Sequence, residues 1–245
     1  MTLAYDGTDF AGWQVQPDRP TVQGLVREAC RRILGEPVKV TGASRTDAGV
    51  HALRQVASLA TASALEVGQL ARGLNALLPA AVRVLDAREA PPGFDARRSA
   101  LGKRYLYVMD RGRVAHPILR RFAWHPRFPL DVAAMRSALG AVRGKHDFQA
   151  FCAAPGRGRT PTCTVRSARL IARGEQLAVL LSADSFLHHM VRNIVGSLVE
   201  VGRGAQPPSW MSALLAGRDR TRSGPTAPPQ GLFLVRVLYA DPGDR

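Results

Sequence analysis

The chain has 245 residues, 46% of them apolar, enough for one large core or two modest ones and too apolar for a disordered chain. Lysine and arginine number 34 against 19 acids, and the net charge of +15 points to a polyanionic partner, most simply nucleic acid. No apolar run reaches the roughly 18 residues of a membrane span, and the N-terminus has no signal-peptide pattern. Cys30, Cys152 and Cys163 are widely spaced with no Cys-x-x-Cys, which suits neither a disulfide framework nor a zinc site. A cytoplasmic protein without a membrane partner is the expectation.

In chain order, Thr2 to Tyr5 reads as a strand. Thr21 can cap a helix whose apolar positions Val22, Leu25, Val26, Ala29 and Ile33 follow 3.6-residue spacing, and Gly35 and Pro37 end it. Val38 to Gly42 and Gln55 to Ala60 read as strands, Leu65 to Leu78 as a helix closed by Pro79, and Val82 to Ala87 as a strand. Pro91-Pro92-Gly93 marks a linker. Beyond it, Lys103 to Met109 alternates like a strand, with Arg121 to Trp124 as a candidate neighbour, and Asp131 caps a helix to Leu139. Thr164 to Ala172 and Gln176 to Ser182 flank a turn at Gly174. Leu187 to Val201 has the strongest helical pattern, and Leu232 to Tyr239 closes with a strand. The order βαββαβ thus occurs twice, which suggests two ferredoxin-like halves, residues 1–90 and 91–245.

The positive charge is clustered. Between Arg97 and Arg127 there are nine cations, among them Arg97, Arg98, Lys103, Arg104, Arg120 and Arg121, against the single acid Asp110. Tyr105, Tyr107, Phe122, Trp124 and Phe128 are interleaved, the mixture that phosphate contact plus base stacking requires. A second basic stretch runs through Arg157, Arg159, Arg166, Arg169 and Arg173 without an acid. Only Lys39, Lys103 and Lys145 are lysines. A GC-rich genome would favour arginine over lysine, but would not explain the excess over acids.

Arg45-Thr46-Asp47-Ala48-Gly49-Val50-His51 places a cation, a carboxylate, a glycine and an imidazole within seven residues. One reading is a turn with a local ion pair. The other is an extended segment, in which Arg45, Asp47, Gly49 and His51 share one face and Thr46, Ala48, Val50 and Ala52 the other. An Asp beside an Arg stays ionised and can act as nucleophile or general base.

On the helix predicted from Leu187, an apolar arc contains Leu187, Met190, Val191, Ile194, Val195 and Leu198, with Arg192 just outside its edge and His189 and Asn193 opposite. His188 and His189 would stand about 100° apart there, poorly placed to share a metal. The chain has no phosphate-binding Gly-rich loop, no dinucleotide fingerprint and no deaminase zinc pattern. The chemistry expected is therefore isomerisation or hydrolysis on nucleic acid, with no cofactor and no tightly held metal. A hydrolytic nuclease using Asp47 and His51 lacks an obvious acidic metal cluster.

Six motifs stand in one order. They are Tyr5-Asp6-Gly7-Thr8 with Phe10, Gly12-Trp13-Gln14 and the helix start Thr21-Val22-Gln23, Arg45 to Ala52, Lys103-Arg104-Tyr105-Leu106-Tyr107, His146-Asp147-Phe148, Phe186 to Asn193, and Ala227-Pro228-Pro229-Gln230-Gly231-Leu232. Together they resemble the tRNA pseudouridine synthase A (TruA) family, nearly end to end. Ser44 stands where that family often has Gly.

The resemblance implies an α+β pseudouridine synthase fold. Its two βαββαβ halves would form a mixed, mostly antiparallel central sheet flanked by helices, with the active-site cleft between the halves. It implies a homodimer that isomerises uridine to pseudouridine at positions 38, 39 and 40 of the tRNA anticodon stem-loop, by base flipping. Asp47 would be the catalytic carboxylate, Arg45 would enter the space the base vacates, Tyr105 would stack on the flipped uracil, and Arg192 would hold Asp47 ionised. Asp47 could attack C1′, attack C6, or take the 2′ proton, and Tyr105 is a candidate for removing the C5 proton. Arg97, Arg98, Lys103, Arg104, Arg120 and Arg121 are the candidate tRNA contacts. In this context His51 reads as support for the loop rather than as a base.

Overall fold

The computed structural model describes residues 1–153 and 160–240. Arg157 and Arg159 of the second basic stretch lie outside the described residues. The chain forms two compact units, one of Met1–Leu101 with Phe233–Arg245 and one of Gly102–Leu232.

The first unit contains β1 (Thr2–Tyr5), α1 (Val22–Leu34), β2 (Thr41–Gly42), β3 (His51–Ser58), α2 (Val67–Leu77) and β4 (Val82–Asp86), in the βαββαβ order. Thr21 caps α1 by accepting the Gly24 N–H, and Gly35 ends it at φ +72°, a left-handed conformation that favours glycine. Helix α2 stops before Pro79, which cannot continue the hydrogen-bond ladder. The strand expected over Val38 to Gly42 shrinks to the two residues of β2. Strand order is β4-β1-β3, with β2 on the side of β3, and all of these pairs are antiparallel. Helix α1 packs on α2, and α2 on β4.

The second unit contains β5 (Gly102–Asp110), α3 (Val132–Gly140), β6 (Gly144–Asp147), β7 (Thr162–Arg173), β8 (Gln176–Ala183), α4 (Met190–Gly202) and α5 (Trp210–Gly217). Asp131 caps α3 through the Ala133 and Ala134 N–H groups. The strands run β5-β8-β7-β6, all antiparallel. Tyr107, Met109, Leu177, Val179 and Leu181 are buried on one face of this sheet. Helix α3 packs on β7 and on α4, with α5 against both helices.

The repeat is less regular than the sequence suggests. Strand β6 and helix α5 are additional elements: Gly144-Lys145-His146-Asp147 is polar and short, so nothing in its pattern announces a strand. The segment Arg121 to Trp124 supplies only a single parallel bridge, Met109 to Trp124, after a short 3₁₀ turn at Leu119–Arg121. The closing strand β9 (Leu232–Leu238) belongs to the second half by chain order, but it lies almost wholly in the first unit and pairs parallel with β3, His51 opposite Phe233 and Ala52 opposite Leu234. Phe233 stacks on the His51 ring at 4.8 Å, and Leu234 is fully buried, so apolar burial draws the chain back.

Candidate active site

The Asp47 loop joins β2 to β3 and is a turn, not an extended segment. Val50 N–H donates to Asp47 O, and Gly49 has φ +76°. The turn breaks the alternation of faces. Thr46, Val50 and His51 are buried, Ala48 and Arg45 are exposed, and Asp47 is half-buried. Arg45 is therefore exposed and Asp47 half-buried on a loop whose neighbours are anchored, and the buried His51 does not share a face with them.

The anchoring comes from the Tyr5–Trp13 segment, the first of the six motifs. Trp13 N–H donates to Thr46 O at 3.0 Å, and Gly49 N–H donates to Phe10 O at 3.3 Å. Two glycines permit the approach. A Cβ on Gly7 would stand 2.0 Å from Val50 O, and one on Gly12 would stand 2.5 Å from Thr46 O, where φ is also +92°. Tyr5 OH pairs with Thr46 Oγ1 at 2.8 Å. Gln55, fully buried on β3, accepts from Ser44 N–H at 3.2 Å and donates to Ser44 O at 2.7 Å, holding the residue before Arg45 as a strand neighbour would.

His51 supports the loop. Gly7 N–H donates to its Nδ1 at 3.0 Å. Asp6 Oδ1 lies 3.2 Å from the same nitrogen, but it accepts from Thr8 N–H and Thr8 Oγ1, so its main work is to close the Asp6–Thr8 turn.

In the second unit, Tyr105 on β5 is only 6% exposed and meets Phe186 edge-on at 5.0 Å. Tyr107, two residues on, donates its hydroxyl to Pro228 O at 2.7 Å, and burial pushes its phenol well above the usual range. Lys103 on the same strand is half-buried and Arg104 is exposed. Gly231 in the last motif packs so closely that a Cβ would meet Val108 O at 2.7 Å and the Tyr107 ring at 2.8 Å.

Helix α4 begins at Met190, later than the apolar pattern predicts. Leu187–His189 form a turn, and His189 adopts φ +60° at the cap. The two histidines are therefore not spread around a helix: their rings stand 3.9 Å apart. Asn193, placed on the solvent side by the wheel, is fully buried. Its Nδ2 donates to Phe151 O, and its Oδ1 accepts from Arg220 Nη2 and Thr226 Oγ1. The wheel misplaces Asn193 because α4 is packed all round, with Glu200 and Arg192 as its half-buried positions. Arg192 Nε donates to Ala227 O at 2.7 Å, while Ala227 N–H donates to Arg192 O at 3.1 Å. Sequence reasoning overlooks Gln55, Arg220 and Thr226 and puts Asn193 in solvent. The only signal is that a Gln inside a strand and an Asn inside an apolar helix must find partners when buried.

Among the surface candidates, Arg97 and Arg98 are exposed, and their backbone N–H groups both donate to Asp95 Oδ1. The Arg98 N–H bond holds the Asp95 carboxyl below its ordinary range. Arg120 is exposed and Arg121 half-buried in the 3₁₀ turn, beside Ile118 and Phe122, which are 72% and 36% exposed. Among the described residues, no helix is long and apolar enough to cross a membrane.

A family model for tRNA pseudouridine synthases matches residues 1–97 and 138–240. The chain is 46% identical over 241 residues to tRNA pseudouridine synthase A of Moorella thermoacetica, covering 98% of each chain. It is 45% identical over 242 residues to the Myxococcus xanthus protein of that name, covering 98% of this chain and 91% of the other. Among solved structures it is similar to a chain of a Cbf5-Nop10-Gar1 complex, with TM-score 0.37, 10% identity, and coverage of 96% of this chain and 57% of that one. The chain belongs to the tRNA pseudouridine synthase family, enzymes that isomerise uridine to pseudouridine in tRNA.

Proposed function

We propose that this enzyme acts on uridines 38, 39 and 40 of the tRNA anticodon stem-loop, as a cytoplasmic homodimer, by flipping the target base and using Asp47 as its catalytic carboxylate. The reading is carried by the Asp47 loop: its flanking residues are gripped by main-chain hydrogen bonds while Arg45 is exposed and Asp47 half-buried. Such a loop spends no ordering entropy at the moment of reaction.

The reaction breaks the N1–C1′ bond, turns the uracil and forms a C5–C1′ bond. N1 ends with a proton and C5 loses one, so nothing is consumed and no redox partner is needed. Asp47 attacks C1′ or C6, or takes the 2′ proton. Extruding a stacked base costs a few kcal/mol. Arg45, exposed and cationic, enters the vacated stack, and Tyr105 supplies a platform for the flipped base; both offset that cost. Arg192 is the cation that pairs with Asp47. Tyr105 is also the candidate for removing the C5 proton.

The test uses tRNA carrying tritium at uracil C5. Tritium release from an intact RNA chain, abolished by Asp47→Asn and confined to positions 38–40, supports the reading. Unchanged release by Asp47→Asn sinks the role of Asp47, and release from other positions sinks the substrate site.

A further inference from the structure

Arg220 belongs to none of the six motifs, yet its half-buried guanidinium makes four hydrogen bonds within one loop and one helix. Its Nη1 donates to Ser223 Oγ at 2.7 Å and Gly224 O at 3.2 Å, and its Nη2 to Asn193 Oδ1 and Thr226 Oγ1, each at 3.0 Å. Thr226 Oγ1 donates in turn to Asn193 Oδ1 at 2.7 Å. The loop lies directly on α4. Gly224 N–H donates to Ser197 Oγ at 3.0 Å, and a Cβ on Gly196 would stand 1.7 Å from Pro225 O. The next residue along is Ala227, whose carbonyl receives Arg192 Nε.

We propose that Arg220 is a positioning residue for the isomerisation: by clamping the Ser223–Thr226 loop to Asn193 it fixes the Ala227 carbonyl, and that carbonyl sets the direction of the Arg192 guanidinium. The inference rests on the reading of Arg192 as the active-site cation. The planar guanidinium is what the clamp needs, because its two Nη groups serve the loop and the helix at once. A lysine keeps the charge but presents a single nitrogen and cannot hold both sides in one geometry. Arg192 needs its own fork for a related reason, since lysine has no Nε–H to give to Ala227.

The experiment compares Arg220→Lys, Arg192→Lys and the double variant in the tritium-release assay, with folding checked by circular dichroism. Arg220→Lys is expected to lower kcat about tenfold, roughly 1.4 kcal/mol of barrier, while KM for tRNA stays within about twofold. In the Arg192→Lys background, where the grip on Ala227 is already gone, Arg220→Lys is expected to add no further loss. An unchanged kcat in Arg220→Lys, or losses that multiply in the double variant, overturns the proposal. Should Arg220→Lys fail to fold, Thr226→Val removes one arm of the clamp and Thr226→Ser should restore it; equal kcat in these two overturns the proposal as well. Arg192→Gln separates the two levels of argument. If it retains full activity, the reading of Arg192 fails; if it is inactive while Arg220→Lys is normal, only the role of Arg220 fails.

Discussion

The Asp47 loop and the Arg192 helix are held by different means. In the first unit the grip is main chain on main chain: Trp13 N–H to Thr46 O and Gly49 N–H to Phe10 O, with Gly7 and Gly12 allowing the segments to touch. In the second, Arg192 stands on a packed helix, and its guanidinium is aimed by a carbonyl on a loop tied down by Asn193, Arg220 and Thr226. A main-chain grip fails in steps, because a Cβ either fits or does not. A side-chain network weakens by degrees, because each hydrogen bond is worth only about 0.5–1.5 kcal/mol net.

The largest effect expected is at the glycines. Gly7→Ala and Gly196→Ala place a Cβ 2.0 Å from Val50 O and 1.7 Å from Pro225 O, so backbone must move in both. Each is expected to cost ~3 kcal/mol or more in denaturant melts and to abolish tritium release. A near-neutral Gly7→Ala would show that the loop is not held by main-chain contact.

Next comes Gln55, a side chain that performs a main-chain task. Gln55→Leu strips Ser44 N–H and O of their partner in a buried place, at about 2 kcal/mol. Activity is expected to fall together with stability, whereas Arg220→Lys should lower kcat more than stability. Finding the same ratio in both variants would erase the distinction between the two grips.

The surface arginines compare the units as RNA-binding surfaces. Removing charge at Arg97 and Arg98 in one unit, or at Arg120 and Arg121 in the other, should make log tRNA affinity fall less steeply with log salt. The slope is expected to drop by about 0.7–0.9 for each phosphate that the variant no longer neutralises. If one pair leaves the slope unchanged, that unit's arginines do not touch the RNA.

The smallest effect is a pH dependence in the first unit. Burial pushes the Cys30 thiol up to about 11 from an ordinary 9.0, so the folded state keeps a proton that the unfolded chain loses above pH 9. This group's contribution to stability is thus fully present below about pH 9 and declines as pH rises towards 11. Comparing melts of the native protein and Cys30→Ala across that range should show a shallower decline in the variant. Parallel declines would remove Cys30 as the cause.

Much of the molecule is legible in the chain. The caps Thr21 and Asp131, the strand alternation at Tyr105 and Tyr107, and the stop at Pro79 are local, so their physics is present in the sequence. Asp47, Arg45, Tyr105 and Arg192 are named by motif resemblance, and the fold supplies their surroundings. The misses are non-local. Asn193 looks like a solvent-facing residue because a helical wheel knows nothing of what covers the far side of α4. An extended reading puts His51 on the charged face because strict alternation takes no account of the turn at Gly49.

Most element types, the basic character and the family are written in the sequence, since period, capping and motif order are properties of neighbours along the chain; β6 and α5 are not. Packing alone brings β9 back to pair with β3, lets one loop seize another at Gly7 and Gly12, and carries Arg220 to Asn193 across 27 positions. Those facts depend on which distant groups must share hydrogen bonds once water is excluded, and burial is settled only when the whole chain has packed.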